Sequence, residues 1–146
     1  MATSLTFTGT LFTSGSTLAT GSATTPLTIA QGGTAGCRVY GISGHTNSTT
    51  ATAYFQLIYS SSAAGGTGIP LGTVPVLANA GNTTVAASDI FGQSVIASVF
   101  QKQKDANGVP YFNMAPGSII QIRQSGSAPQ QSTGANLNIT TFGEFY

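Results

Sequence analysis

Thr50-Ala51-Thr52-Ala53-Tyr54-Phe55-Gln56-Leu57-Ile58-Tyr59 decides the fold. Ala51, Ala53, Phe55, Leu57 and Tyr59 fall on one face, and Thr50, Thr52, Tyr54, Gln56 and Ile58 on the other. A period of two with Thr, Tyr, Phe and Ile is the pattern of a β-strand, because successive side chains leave a pleated strand on opposite faces. On its C-terminal side, Ser60 to Gly68 is a Gly- and Ser-rich turn. Ile69 to Leu77 reads as a further strand. Pro70 and Pro75 cannot donate to a ladder and place it at an edge or a bulge.

Upstream, Leu27 and Ile29 open a short strand that Gly32-Gly33 ends, and Val39, Tyr40 and Ile42 lie in a run that Gly44 ends. Downstream, Asp105-Ala106-Asn107-Gly108 and Ala115-Pro116-Gly117 are turns. Ser118 to Arg123 alternates, and Asn136 to Tyr146 places Leu137, Ile139 and Thr141 on one face. Ser88 to Lys104 supports two readings. Ser88 suits a helix N-cap with Asp89 in the first turn, and Ile90, Val95 and Val99 give an imperfect helical stripe. Its β-branched and aromatic residues also permit a strand, so a short helix is expected over part of it only. Short strands separated by turns at even spacing predict an all-β, single-domain β-sandwich or jelly roll with at most one short helix.

The first 25 residues read differently. Leu5, Phe7, Gly9 and Leu11 alternate with Thr6, Thr8 and Thr10, but residues 13–25 are Ser, Thr, Gly and Ala anchored by Leu18 alone. Residues 1–25 are therefore expected to form an extended arm or edge strand, with the sandwich occupying residues 26–146. An uncharged strand with an open edge pairs readily with a neighbour. Leu5, Phe7, Leu11 and Phe12 are the candidate interface residues.

Composition narrows the function by exclusion. Of 146 residues only seven are charged: Arg38, Lys102, Lys104 and Arg123 against Asp89, Asp105 and Glu144. One His and one Cys complete the reactive inventory, namely His45 and Cys37. Acid–base catalysis, nucleophile activation and metal binding draw on these residue types, so no catalytic residue, cofactor or metal is expected, and the chain reads as not an enzyme. His45 lies in Gly44-His45-Thr46-Asn47, expected to be an exposed loop, and no G-x-S-x-G elbow occurs. Asp105 belongs to a turn and Asp89 to a helix start, which leaves no pair of carboxylates for glycoside hydrolysis. Cys37 lacks a partner in the chain and reads as a small buried hydrophobe.

A net charge of +1 gives no basic field for nucleic acid or an anionic membrane. No basic stretch leads into an apolar run at the start, and the longest apolar runs fall far short of a membrane span. Synthesis in a cytoplasm is expected. An apolar share of 40%, with eight Phe and five Tyr, supplies a core. A fold of this length buries roughly 70% of its unfolded surface. With little charge to hold copies apart, the chain tolerates association.

From about residue 37 onward the order of features resembles small phage capsid decoration (cement) proteins. The features are the Ala51 to Tyr59 strand, Pro-Leu-Gly-Thr-Val-Pro-Val at Pro70 to Val76 and Ser-Asp-Ile-Phe at Ser88 to Phe91. Asp-Ala-Asn-Gly-Val-Pro-Tyr at Asp105 to Tyr111, an Ala-Pro-Gly-Ser turn into the Ala115 to Arg123 strand, and Gly143-Glu144 before an aromatic end complete it. The first 36 residues lie outside it. The resemblance implies a jelly-roll-like virion protein, often a homotrimer, on the outer surface of an icosahedral bacteriophage capsid. Its partner would be the major capsid protein, whose neighbouring subunits it bridges. The alternative from the same composition is a tail-fibre, receptor- or carbohydrate-binding β-domain, in which Tyr54, Tyr59 or Tyr111 forms a sugar platform. A small coat protein with a jelly roll is a third expectation.

Overall fold

The computed structural model describes residues 10–18, 26–46, 52–62, 68–82, 85–93, 96, 100–124 and 137–146. Among the described residues ten strands run in chain order: β1 (Thr10–Leu18), β2 (Leu27–Gln31), β3 (Cys37–Thr46), β4 (Ala53–Ser60), β5 (Ile69–Val76), β6 (Ser88–Asp89), β7 (Gln103–Lys104), β8 (Pro110–Met114), β9 (Ile119–Gln124) and β10 (Leu137–Phe145). They form two antiparallel sheets, ordered β1-β10-β3-β8-β7 and β2-β9-β4-β5, with β6 pairing to β3.

The pairs β1·β10, β2·β9, β3·β8 and β4·β5 are nested about the β4–β5 connection. This is one long hairpin rolled over on itself. The lateral pairs β3·β10 and β4·β9 then close each sheet, which is the jelly-roll arrangement. The all-β sandwich expected from the sequence is the observed fold.

Alternation sorts the core as the sequence indicates. Phe55, Leu57, Val74, Val76, Ile120 and Ile122 face inward from the four-stranded sheet. Val39, Ile42, Phe112, Met114, Leu137 and Ile139 meet them from the other. Each large side chain so buried contributes about 1.5–3 kcal/mol relative to exposure. Phe112 is the hub of an aromatic cluster, stacked on Phe100 with centroids 4.5 Å apart and on Phe91 at 5.5 Å. Tyr59 meets Phe100 edge-on at 5.4 Å.

Three bulges shape the sheets. Ile29 is the extra residue of β2 opposite β9, Tyr40 that of β3 opposite β10, and Leu71 that of β5 opposite β4. Strand β5 is both an edge and bulged, as its two prolines require.

Of residues 1–25, expected to be an arm or edge strand, Thr10–Leu18 form β1 at the edge of the six-stranded sheet and pair continuously with β10 from Thr10↔Phe145 to Leu18↔Leu137. Ladder bonds use backbone groups, so a Ser/Thr/Gly sequence with little apolar pattern can still hold an edge position. Strand β3 does not stop at Gly44 but runs to Thr46. A Cβ at Gly44 would stand 3.1 Å from Val76 and 3.2 Å from Ile90, so this glycine permits close packing within a strand rather than ending it. His45 is consequently a half-buried strand residue, not a loop residue.

Of the short helix expected over part of Ser88 to Lys104, the described residues hold one helical position, Ile96, whose carbonyl accepts from Phe100 N–H at 2.9 Å; residues 94–95 and 97–99 lie outside the described residues. Ser88–Asp89 pairs with Ser43 and Gly44 of β3, and the N–H groups of Ile90 and Phe91 both donate to the Ile42 carbonyl. The Ser88 hydroxyl accepts from Leu77 N–H at 3.1 Å, and Asp89 Oδ1 from Gly92 N–H at 2.8 Å. Ile90, Phe91, Ile96 and Phe100 are buried between the sheets.

Candidate functional site

Two surfaces of the six-stranded sheet stand out: its β1 edge and its outward face around β3, β8 and β10.

Among the described residues five strands lie at sheet margins, β1, β2, β5, β7 and the two-residue β6, and all but β1 are short or guarded. Strand β5 carries Pro70 and Pro75 and a bulge, β2 is five residues long with a bulge at Ile29, and β7 is two residues long and includes exposed Lys104. Short length, proline, bulges and lysine are the devices that deter edge-to-edge pairing. Strand β1, Thr-Leu-Phe-Thr-Ser-Gly-Ser-Thr-Leu, has nine residues, no charge, no proline and unbroken register. Among the described residues no strand pairs with its outer side.

Of the residues expected at an interface, Leu5 and Phe7 lie outside the described residues. Leu11 is in β1 opposite Glu144, and only its backbone is described. Phe12 points inward and packs on Phe145 with centroids 4.5 Å apart, at the margin of the core.

The outward face carries a connected set of aromatic and polar side chains. Register brings Arg38 of β3 beside Glu144 of β10 and Asn113 of β8, and Gln103 of β7 beside Tyr111. The bulge at Tyr40 aims its ring toward the same place, a recurrent use of bulges. Its centroid lies 5.9 Å from Tyr111 and 5.9 Å from Phe142. The Arg38 guanidinium sits between two rings, 5.1 Å from the centroid of Tyr111 and 5.2 Å from that of Tyr146. The rings and cation thus run Phe142, Tyr40, Tyr111, Arg38, Tyr146.

Hydrogen bonds tie this row together. Tyr40 hydroxyl donates to Glu144 Oε2 at 3.1 Å, and Arg38 Nη1 lies 4.0 Å from the same oxygen. Arg38 Nε donates to the Tyr146 hydroxyl at 3.2 Å, and that hydroxyl donates in turn to Asn113 Oδ1. Tyr111 hydroxyl and Asn113 Nδ2 both donate to Gln103 Oε1, at 2.9 and 3.4 Å. The acceptor Tyr146 stabilises the Arg38 charge and raises its pKa, against a smaller opposing effect of burial. Burial pushes the Tyr40 phenol above its ordinary value, Arg38 pulls it down, and Glu144 pushes it up. Glu144 is 2% exposed, while Phe142 is 42% and Tyr146 52% exposed. A buried carboxylate paired with a partly exposed guanidinium, with exposed Phe142 and Tyr146 beside them, is an amphipathic surface.

Arg38, Tyr40, Glu144, Phe142 and Tyr146 were not legible as a unit. They are distant in sequence, and only the β3·β10 and β3·β8 registers unite them. Of the tyrosines expected to form a sugar platform, Tyr111 belongs to this row. Tyr54 and Tyr59 lie on β4 of the other sheet and do not join it.

The reactive residues are placed as follows. His45 Nε2 is 3.4 Å from Ser43 Oγ, but its Nδ1 side is closed by Gly81, where an added Cβ would stand 2.1 Å away. An open depression of about 240 Å³ is lined by His45, Thr46, Ala80, Gly81, Asn82 and Asn138. A second, of about 500 Å³, lies along Pro75, Leu77 and 85–89. Asp105 Oδ1 accepts from the N–H groups of Asn107 and Val109 and holds a turn. Cys37 is buried, donates weakly to Gln31 carbonyl, and burial raises its pKa to about 11. Among the described residues no three His, Cys, Asp or Glu side chains gather as metal ligands. Comparison with protein-family models, curated proteins and solved structures finds no match for the chain.

Proposed function

We propose that this chain is a virion structural protein, a decoration (cement) protein that binds the outside of an icosahedral phage head and clamps neighbouring capsid subunits. The observation that carries the reading is the β1 edge, nine uncharged residues without proline that no strand covers among the described residues, where the other marginal strands are short, bulged or proline-bearing. Strand addition on such an edge gives affinity through main-chain hydrogen bonds. The near absence of charge and the order of features shared with decoration proteins point the same way. Such a protein binds a composite site that exists only in the assembled shell. Its binding free energy therefore opposes rupture by mass action. Repetition over a symmetric lattice lets modest individual contacts suffice. Copies of the chain meeting as a homotrimer would present several edges at once.

The test is sedimentation of expanded, undecorated heads mixed with purified protein, counting copies bound. Saturable binding at a lattice-fixed ratio, weakened by a Thr13→Lys substitution on exposed β1, is expected. Failure of the wild-type protein to bind heads refutes the proposal.

A further inference from the structure

We infer that the outward face of the six-stranded sheet is a binding site for a neutral oligosaccharide, formed by Phe142, Tyr40, Tyr111 and Tyr146 with Arg38 and Asn113 set among the rings. Three observations converge. The exposed apolar surface here is aromatic: Phe142 and Tyr146 are 42% and 52% exposed at opposite ends of the row, with half-buried Tyr40 between them and buried Tyr111 (9% exposed) backing Tyr40 and Arg38. Ring faces match the C–H faces of sugar rings, as aromatic groups do wherever one side of a ligand is apolar and the other wet.

The polar groups between the rings are held in place. Arg38 is fixed by two tyrosine rings and by bonds to Tyr146 and Glu144, so little rotamer freedom remains to be lost on binding. Asn113 is tied to Gln103 and Tyr146. Planar amide and guanidinium groups beside an aromatic surface are the few placed polar contacts that orient a ligand.

Charge selects the ligand class. Arg38, the cation of the row, is compensated by Glu144 beneath it, so the site as a whole is neutral. An anionic ligand would compete with a buried carboxylate, and a cationic one would meet the guanidinium. A neutral ligand with hydroxyls and apolar faces meets neither penalty. The pair is not explained by stability alone: with the Arg38 side chain 34% exposed and 4.0 Å from Glu144, a partly solvated ion pair contributes little. Two of the chain's seven charged residues are nonetheless placed here.

This inference does not rest on the capsid proposal, and its test is separate. The wild-type protein is screened on a printed array of neutral and sialylated oligosaccharides, and the strongest neutral ligand is titrated into ¹⁵N-labelled protein. Saturable binding of a neutral glycan is expected, with shifts centred on Tyr40, Tyr111, Phe142 and Tyr146. Phe142→Ala and Tyr146→Ala should each weaken it tenfold or more with the amide spectrum otherwise retained, while Tyr54→Ala on the other sheet leaves it unchanged. Binding of no neutral glycan, binding confined to sialylated ones, or shifts mapping elsewhere overturns the inference. The wild-type shift map stands even if a variant fails to fold. Head sedimentation with the same variants keeps a failure here distinct from failure of the capsid reading.

Discussion

Thr141→Val should destabilise the protein, although it replaces a buried hydroxyl by a methyl group. The bulge in β2 leaves Ile29 without a register partner, since Thr28 pairs with Gln121 and Ala30 with Ile120. The Ile29 carbonyl lies between the sheets, and the Thr141 hydroxyl of β10 donates to it from the opposite sheet. Thr141 is 0% exposed and Ile29 2%, so water does not replace the lost donor without rearrangement. Leaving a buried carbonyl unsatisfied costs about 1–3 kcal/mol. The added methyl returns about 0.8 kcal/mol of transfer free energy. The net expectation is a loss of about 0.2–2 kcal/mol. With an unfolding entropy near 2.1 cal/mol/K per residue, each kcal/mol moves the Tm of a domain this size by about 3 °C. Thermal and urea denaturation followed by circular dichroism should show Tm lower by about 1–7 °C, with an unchanged m-value. If burial alone governed this position, Val would raise Tm by about 2–3 °C, and that result refutes the reasoning.

Other positions give equally definite expectations. Phe112→Ala, at the centre of the stacked cluster with Phe91 and Phe100, should cost about 3–5 kcal/mol in denaturant unfolding. Gly143→Ala would place a Cβ 2.4 Å from the Arg38 carbonyl and 2.5 Å from the Phe12 ring; a loss of about 1–3 kcal/mol is expected from overpacking, read by thermal melting. The Cys37 thiol, raised to about 11 from 9.0, holds its proton more tightly when folded. Its contribution is complete below about pH 9 and is lost as pH rises through about 11. Cys37→Ala should remove that part of the alkaline decline in stability, and native Cys37 should resist iodoacetamide until unfolding.

The fold was legible where burial and period agree. Phe55 and Leu57 in β4, Ile120 and Ile122 in β9, and Leu137, Ile139 and Thr141 in β10 face inward as alternation requires. Where backbone pairing or close approach governs instead, side-chain pattern misleads. Thr13 to Leu18 has no marked apolar face, yet its N–H and C=O groups find β10. Gly44 looked like a terminator because the neighbours that demand a missing Cβ, Val76 and Ile90, come from elsewhere in the chain. In Ser88 to Lys104 both readings hold in part: Ser88–Asp89 pairs with β3, Ile96 is helical, and Ile90, Phe91, Ile96 and Phe100 fill the space between the sheets. The outward-facing row was hidden for a related reason. Arg38 and Glu144 are 106 positions apart, and a chain read locally cannot pair them; only the nested hairpin does.

The two proposed surfaces are compatible because they use different parts of the same sheet. An added strand on β1 engages main-chain groups in the plane of the sheet, whereas the aromatic row projects perpendicular to it. Strand β10 links them: Glu144 lies opposite Leu11 on one side and Arg38 on the other. A partner that pairs with β1 therefore leaves Phe142 and Tyr146 uncovered unless it also folds over the face. Holding β1 against β10 also limits fraying beside Glu144, whose fixed position orients Arg38 and Tyr40. Docking at the edge should then steady the row without occupying it. An assembly that repeats this sheet would present many identical rows, so weak binding at each becomes strong binding to a surface bearing many ligands.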